Sequence, residues 1–236
     1  MAQKKKSNYT LEIVFGGLVL VILLAIFVPS ILGGSDSDES SPSIDGPKEG
    51  VEVPVEEHDP VLGDDDAPVT VVEFVDYQCP SCKVSAEQTL PKIKENYVES
   101  GEVRYVLKDF PLSSHPNAVP AAVAVRAAGE QGMYWEMHDL VFENQSEWAE
   151  LSDDELNDKF LSYAEELGLD TEQFAEDIEK DQLTDRVMAG RKLGEDLGVR
   201  YTPTMFVNGK VYEDPVGPDE LEDIIEEAKR TADSLK

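Results

Sequence analysis

The sequence predicts an α/β domain with the element order β-α-β, a helical block, and then β-β-α. Two β-branched runs, residues 69–75 and 103–107, are separated by a segment of helical length, which is typical of a parallel βαβ unit. Near the C-terminus, the hairpin dipeptide Asn208-Gly209 separates two further short strands. Between these two parts, residues 115–198 show helical periodicity without a strand candidate. A sheet interrupted by a helical insertion is therefore expected.

The elements between these landmarks follow from local signals. The segment after the first strand predicts a helix that starts at Pro80 and bends at Pro91. Ser152 is a predicted N-cap and Gly168 a predicted C-cap. Three valines that alternate with polar residues predict a short edge strand over residues 51–55. The remaining helices are predicted near residues 120–128, 135–142, 153–167, 170–197 and 218–232.

The composition excludes several classes of function. The chain has 236 residues and a formal net charge of -30, with 50 acidic and 20 basic side chains. Because phosphate binding requires clustered Lys and Arg, this charge argues against a nucleic-acid partner. It argues against anionic membrane surfaces for the same reason. Two origins of the acidity remain open: adaptation to high salt, which screens the self-repulsion, or an ordinary acidic extracellular protein.

The first 58 residues predict export and attachment to the membrane. Residues 1–10 contain three consecutive lysines, and residues 11–33 are expected to form one transmembrane helix. The uncharged core of this segment has 20 residues, which in a helix span about 30 Å of hydrocarbon. Since positive residues stay in the cytoplasm, the rest of the chain is expected outside it. Residues 34–58, rich in Ser, Asp, Glu and Pro, predict an acidic disordered linker.

A cleaved signal peptide is the alternative to a retained anchor. Its apolar core usually has roughly 7–15 residues and precedes a small-x-small cleavage site. The apolar run here is longer, and no Ala-x-Ala follows it. Both interpretations export the same domain, which we expect to span residues 59–236.

The two cysteines of the chain, Cys79 and Cys82, lie at the predicted junction between the first strand and its helix. The first thiol is expected to face the unpaired N–H groups and the positive end of the helix dipole. These groups favour the thiolate, which is the nucleophile in disulfide exchange. Cys82, one turn inside the helix, is placed to attack a mixed disulfide and release the product. The motif therefore predicts a redox-active pair.

Two alternatives for the cysteine pair carry less weight. A zinc site needs further ligands, and His58, His115 and His138 show no ligand spacing, so we expect neither a metal nor a cofactor. A purely structural disulfide would close too short a loop to constrain the unfolded chain much.

Two acidic residues precede the cysteines. Glu73 lies in the middle of the first apolar strand, where burial would raise its pKa and let it carry a proton for Cys82. The alternative is an exposed residue on an edge strand. Asp76, three residues before Cys79, is expected to add negative potential and to oppose the thiolate.

Thr202 and Pro203 open the strand before the hairpin. A cis bond at this position would expose the preceding backbone groups to an extended substrate, which could pair with them as an added strand. The alternative is an ordinary trans proline at the end of a loop.

The sequence resembles the DsbA-like branch of the thioredoxin superfamily, over about residues 59–232. The resemblance implies a thioredoxin fold with a helical insertion and a thiol–disulfide oxidoreductase that acts on exported proteins. The segments that carry it are residues 66–70 (DAPVT), 73–82 (EFVDYQCPSC), 130–138 (EQGMYWEMH) and 201–209 (YTPTMFVNG).

The resemblance also implies roles for individual residues. Cys79 corresponds to the attacking cysteine and Cys82 to the buried resolving cysteine. Pro203 corresponds to the cis proline of the family, and Thr202 beside it touches the substrate. Glu73 falls at the position of the family's buried acid.

The dipeptide between the cysteines, Pro80-Ser81, departs from the strongly oxidising members of the family. Both residues are expected to contact the substrate. The strongly oxidising members carry a histidine between the two cysteines, and this histidine stabilises the thiolate. A serine hydroxyl donates only weakly, so the potential is expected between the roughly -120 mV of DsbA and the roughly -270 mV of thioredoxin.

Formation of disulfides in exported proteins is the function that the sequence favours, because an oxidising compartment keeps such a cysteine pair in its disulfide form. A reductase or an isomerase is the alternative within the class, and a non-catalytic peptide-binding chaperone is the alternative outside it. The family implies recycling by a membrane thiol oxidase of the DsbB or vitamin-K-epoxide-reductase type.

Overall fold

The computed structural model describes residue 48 and residues 50–234. The described residues belong to one compact unit. The predicted cytoplasmic segment, the predicted anchor and most of the predicted linker lie outside the described residues. Within the described ranges, no helix is long and apolar enough to cross a membrane.

The described residues form a five-stranded mixed sheet with the strand order β1-β3-β2-β4-β5. The central strand β2 pairs in parallel with β3, from Val69 opposite Val103 to Val75 opposite Asp109. The pairings of β1 with β3, β2 with β4 and β4 with β5 are antiparallel. The strands are β1 (Val61–Leu62), β2 (Val69–Val75), β3 (Val103–Asp109), β4 (Thr204–Val207) and β5 (Lys210–Tyr212). The predicted thioredoxin fold is confirmed.

A continuous helical segment follows β2. It consists of α1 (Pro80–Val84), a π-helical turn (Ser85–Thr89), α2 (Leu90–Ile93) and a second π-helical turn (Lys94–Val98). The irregularity expected at Pro91 takes the form of the first π-helical turn. A proline lacks the N–H that would bond four residues back, and its ring crowds that carbonyl, so a wider turn accommodates it.

Six helices of the described chain lie between β3 and β4: α3 (Ala118–Glu130), α4 (Tyr134–Glu143), α5 (Gln145–Trp148), α6 (Asp153–Glu166), α7 (Thr171–Ile178) and α8 (Asp181–Leu197). The prediction of one helix over residues 170–197 was wrong. Lys180 is extended, with ψ at 121°, and separates α7 from α8. This break lets Phe174 of α7 and Val187 of α8 both be buried, and both helices pack against α3.

The predicted helix ends and hairpin are confirmed. Ser152 and Glu155 form a reciprocal capping box at the start of α6, and Gly168 after its end has a φ of 71°. Asn208 and Gly209 both have positive φ, at 46° and 82°, as a two-residue hairpin turn requires. The chain then closes with α9 (Pro218–Ser234).

The strand predicted over residues 51–55 is absent, because this segment is irregular in the described structure. Val53 is nevertheless buried, at 5% exposure, in an apolar cluster with Phe74 and Phe206. The valines therefore contribute side-chain packing without a backbone ladder. The outer position beside β3 is taken by β1, which the pattern did not predict.

The helical insertion is held closely to the sheet by two glycines of α8. A Cβ at Gly194 would lie 2.4 Å from the ring of Phe110, and a Cβ at Gly190 would lie 2.8 Å from the carbonyl oxygen of Asp109. Larger side chains at either position would push α8 away from the end of β3.

Candidate active site

The two cysteines lie at the beginning of α1, directly after the central strand. Cys79 is the N-cap of α1, with extended backbone angles, and Pro80 is the first helical residue. Pro80 needs no hydrogen-bond acceptor at this position because its N–H is missing. Both cysteines are free thiols in this structure.

The Cys79 thiol lies in surroundings that favour its thiolate form. It donates to the carbonyl oxygen of Thr202 at 3.3 Å and is 7% exposed. The hydrogen bond from the Cys82 thiol is the largest of the effects that lower the pKa of Cys79 to about 5. The backbone N–H groups of Ser81 and Cys82 act in the same direction, whereas burial opposes them.

The Cys82 thiol lies in surroundings that favour its neutral form. It is 1% exposed, and burial raises its pKa well above the ordinary value. The negative charges of Cys79 and Glu73 raise the pKa further. Its sulfur accepts one hydrogen bond, from the backbone N–H of Asp76 at 3.5 Å. Two chemically identical side chains, one helical turn apart, therefore have opposite protonation preferences.

Glu73 lies on the central strand and is 2% exposed. Since β2 is hydrogen-bonded on both sides, the alternative of an exposed edge residue is wrong. Burial raises the pKa of Glu73 to about 7, although hydrogen bonds from Tyr105 and Ser85 oppose the shift. The Ser85 hydroxyl donates at 2.7 Å and the Tyr105 hydroxyl binds the second carboxylate oxygen. Glu73 can thus be protonated or ionised near neutral pH.

The peptide bond between Thr202 and Pro203 is cis, so the trans alternative is wrong. The Thr202 carbonyl oxygen accepts a hydrogen bond from the Cys79 thiol. The loop that carries Thr202 and Pro203 therefore contacts the redox pair. The Thr202 side chain also lowers the pKa of Cys79. Its hydroxyl is buried and has no hydrogen-bond partner among the described residues. The neighbouring Tyr201 is 61% exposed, with the Arg200 guanidinium over its ring at 5.8 Å.

Exposed residues that follow Cys79 in the chain include apolar ones. Pro80 is exposed and Ser81 is half-buried. Val84 is 50% exposed on the next turn of α1. A substrate chain could therefore approach Cys79 between α1 and the loop that carries Thr202.

The Asp76 side chain is surrounded by hydrogen-bond donors. Its carboxylate is 1% exposed and accepts three hydrogen bonds, from the backbone N–H groups of Gln78 and Leu112 and from the His115 ring. These donors stabilise the buried carboxylate.

The sequence analysis missed three buried amide residues at and around the turn before Cys79. The Gln145 amide donates to the carbonyl oxygens of Tyr77 at 2.7 Å and of Cys79 at 3.1 Å. The Gln78 amide oxygen accepts the backbone N–H of Asn117 at 2.7 Å. All three amide residues are buried. Only their burial distinguishes them from surface glutamines and asparagines, so no sequence pattern could have identified them.

Two of the histidines contact aspartates. His115 contacts Asp76, and the buried His138 contacts the exposed Asp139 at 2.9 Å. Among the residues with described positions, no group of three or more His, Cys, Asp or Glu side chains could hold a metal ion.

Comparison with known proteins agrees with this geometry. The Thioredoxin family model matches residues 56–227. Disulfide bond formation protein D of Bacillus subtilis is 31% identical over 198 residues, which are 82% of each chain. The crystal structure of oxidised BdbD from Bacillus subtilis has 29% sequence identity and a TM-score of 0.66, covering 79% of this chain and all of that chain.

A longer protein also contains a similar segment. Na(+)/H(+) antiporter NhaA 3 of Salinispora tropica is 42% identical over 171 residues, which are 69% of this chain. This chain spans only about a quarter of that antiporter's length, 24%. The family model and the B. subtilis relative cover most of this chain. The protein therefore belongs to the DsbA-like thiol–disulfide oxidoreductases of the thioredoxin superfamily.

Proposed function

We propose that this protein forms disulfide bonds in cysteine-containing proteins outside the cytoplasm. The observation that supports this most directly is the contrast between its two thiols. The pKa of Cys79 is lowered to about 5 and that of Cys82 is raised well above its ordinary value. A stabilised Cys79 thiolate is a good leaving group and favours the reduced protein, which makes the disulfide form an oxidant.

The reaction begins with the Cys79–Cys82 disulfide. A substrate thiolate attacks the sulfur of Cys79, which breaks the bond to Cys82 and forms a mixed disulfide between substrate and Cys79. A second substrate thiolate then attacks the substrate sulfur and releases Cys79 as a thiolate. The substrate loses two electrons and gains a disulfide, and the Cys79–Cys82 pair takes up the two electrons.

Glu73 is proposed to supply the proton that Cys82 needs when it leaves. The pKa of Glu73 is raised to about 7, so the carboxyl is protonated in part of the molecules at neutral pH. The charge of Glu73 raises the pKa of Cys82, as expected for two neighbouring acids in a buried site. A proton on Glu73 can therefore move to Cys82 as its sulfur becomes a thiolate.

The strength of the oxidant is proposed to be intermediate. The pKa of Cys79, about 5, lies between the roughly 3.5 of DsbA and the roughly 7 of thioredoxin. The potential is accordingly expected between about -120 mV and about -270 mV. Ser81 contributes a backbone N–H to the thiolate and no positive charge, which agrees with a value below that of DsbA.

The substrate is proposed to bind between α1 and the loop of Thr202 and Pro203. Exposed Pro80, Val84 and Tyr201 offer apolar contacts beside Cys79. Such contacts would select exposed, unfolded segments that still carry reduced cysteines.

The proposed location is the outer face of the cell membrane, with residues 11–33 as a retained anchor. A membrane thiol oxidase of the DsbB or vitamin-K-epoxide-reductase type is the proposed partner that reoxidises the pair. Fractionation tests the anchor: the protein should sediment with membranes and keep its lysine-bearing N-terminus. A soluble form that begins near Ser35 would establish cleavage instead.

The direction of the reaction is tested by the potential of the Cys79–Cys82 pair in a glutathione buffer, together with oxidative refolding of a reduced protein. A potential near that of thioredoxin, with faster insulin reduction than refolding, would indicate a reductase. Rearrangement of scrambled disulfides at a higher rate than either would indicate an isomerase. Suppression of aggregation that survives a double serine variant at both cysteines would indicate a chaperone.

A further inference from the structure

The turn at residues 76–79 connects β2 to the redox pair, and Asp76 makes contact with both cysteines through its backbone. Its carbonyl oxygen accepts the N–H of Cys79 at 3.0 Å. Its N–H donates to the sulfur of Cys82 at 3.5 Å. A displacement of this one residue would therefore change the surroundings of both sulfurs.

The Asp76 carboxylate fixes that residue in place from two sides. One oxygen accepts the N–H of Gln78 at 2.7 Å, within the same turn. The other accepts the N–H of Leu112 and the ring Nδ1 of His115, each at 2.8 Å, from the loop that follows β3. A buried carboxylate is costly unless donors satisfy it, and here three donors do so.

We propose that Asp76 and His115 are positioning residues for thiol–disulfide exchange, which hold the turn so that Cys79 stays at the N-terminus of α1. His115 is 24% exposed and reaches inward from the surface to the fully buried carboxylate. The pair therefore joins the redox turn to the chain after β3, 39 residues away. This inference rests on the proposed function, in which Cys79 is the attacking thiol.

Positioning and simple charge repulsion predict opposite effects of Asp76→Asn. If the Asp76 charge mainly opposes the thiolate, its removal lowers the pKa of Cys79. If Asp76 mainly positions the turn, the amide raises that pKa, because it offers one acceptor oxygen to three donors and turns its own NH₂ towards a donor. The substitution thus separates the two accounts by the sign of a single shift.

The experiment measures alkylation of the reduced full-length protein by iodoacetamide as a function of pH, with the labelled cysteine identified by mass spectrometry. In the wild type, we expect label on Cys79 with a midpoint near pH 5. In Asp76→Asn and in His115→Ala, we expect the midpoint to rise by about one unit, a tenfold change in the ionisation constant. The equilibrium constant for oxidation of glutathione should fall in parallel.

Two further variants serve as rescue and control. His115→Asn keeps an N–H donor close to the position of Nδ1, so it should recover at least half of the shift seen in His115→Ala. Asp170→Asn removes the same charge from a carboxylate that accepts two backbone N–H groups at the start of α7. It should leave the midpoint unchanged.

A lowered midpoint in Asp76→Asn would overturn the inference in favour of charge repulsion. An unchanged midpoint in His115→Ala with a lower melting temperature would also overturn it, because the pair would then be only structural. If Asp76→Asn does not fold, the two His115 variants decide the question. Label on Cys82 in the wild type would contradict the proposed roles of the cysteines, which is a separate failure.

Discussion

Cys79 at the N-terminus of α1 and Cys82 in the interior of the helix are only three residues apart, yet their pKa values shift in opposite directions. At the end, Cys79 receives hydrogen bonds from the Cys82 thiol and from two backbone N–H groups, and its pKa falls to about 5. In the interior, Cys82 is 1% exposed beside the buried Glu73, and its pKa rises well above the ordinary value. The difference comes from the helix terminus and from burial, since the side chains are identical.

Replacing either cysteine by serine should have the largest effect on disulfide exchange. We expect Cys79→Ser to reduce disulfide transfer and insulin reduction to the uncatalysed rate. We expect Cys82→Ser to retain attack but to accumulate mixed disulfides, because the resolving thiol is missing. Non-reducing electrophoresis with a disulfide-containing substrate distinguishes the two variants, because the remaining thiolate attacks the substrate disulfide and displaces one of its sulfurs. Accumulation of mixed disulfides in Cys79→Ser instead would reverse the assignment of roles.

The buried acid beside Cys82 should make stability depend on pH. The pKa of Glu73 is raised from 4.5 to about 7, so folding favours its protonated form. The stabilising contribution is complete below pH 4.5 and is lost as pH rises through 7, by about 3 kcal/mol in total. Glu73→Gln should remove this part of the pH dependence.

Urea unfolding of the oxidised protein between pH 4 and pH 8 measures the Glu73 effect. The oxidised form is used because neither cysteine titrates in a disulfide. Glu147→Gln, at a carboxylate that is 54% exposed, is the matched control and should leave the curve unchanged. Identical pH dependence in wild type and Glu73→Gln would mean that Glu73 does not titrate in this range.

A cation next to Cys79 should sharpen the contrast between the two thiols. Ser81→His adds a donor with positive charge at the helix terminus, which stabilises the reduced protein and raises the potential by about 30–60 mV. Redox titration against glutathione measures the change. The exposed Ser162 in α6 provides the control substitution, Ser162→His. An unchanged or lower potential in Ser81→His would show that the intervening dipeptide does not set the potential.

Of these changes, a higher salt concentration should have the smallest effect on the redox potential of the Cys79–Cys82 pair. Raising ionic strength from about 0.1 M to 1 M shortens the Debye length from about 10 Å to about 3 Å and screens the acidic surface. The pKa of Cys79 depends mainly on hydrogen bonds at short range, so the potential should move by less than about 30 mV. Titration at both salt concentrations tests this. A larger shift would mean that surface carboxylates contribute substantially to the potential.

The sequence determined those features that depend on neighbours along the chain. The β-branched run before Cys79 and the proline after it are sufficient to predict a strand that turns into a helix. Asn208-Gly209 and Ser152 likewise act within two or three residues, so the hairpin and the capping box were predictable. The family could also be identified, because each of the four segments that carry the resemblance is local.

The tertiary structure decided what depends on burial and on distant partners. Glu73 was ambiguous in the sequence, because only the pairing of β2 on both sides determines that its carboxyl is buried. The hydrogen bond between Asp76 and His115 was not predicted, since the two residues lie 39 positions apart in the chain. Gln145 was missed entirely, since a glutamine gains its role only where it meets two buried carbonyls. Hydrogen bonds and desolvation act over a few ångströms, and only the folded chain brings such groups within that distance.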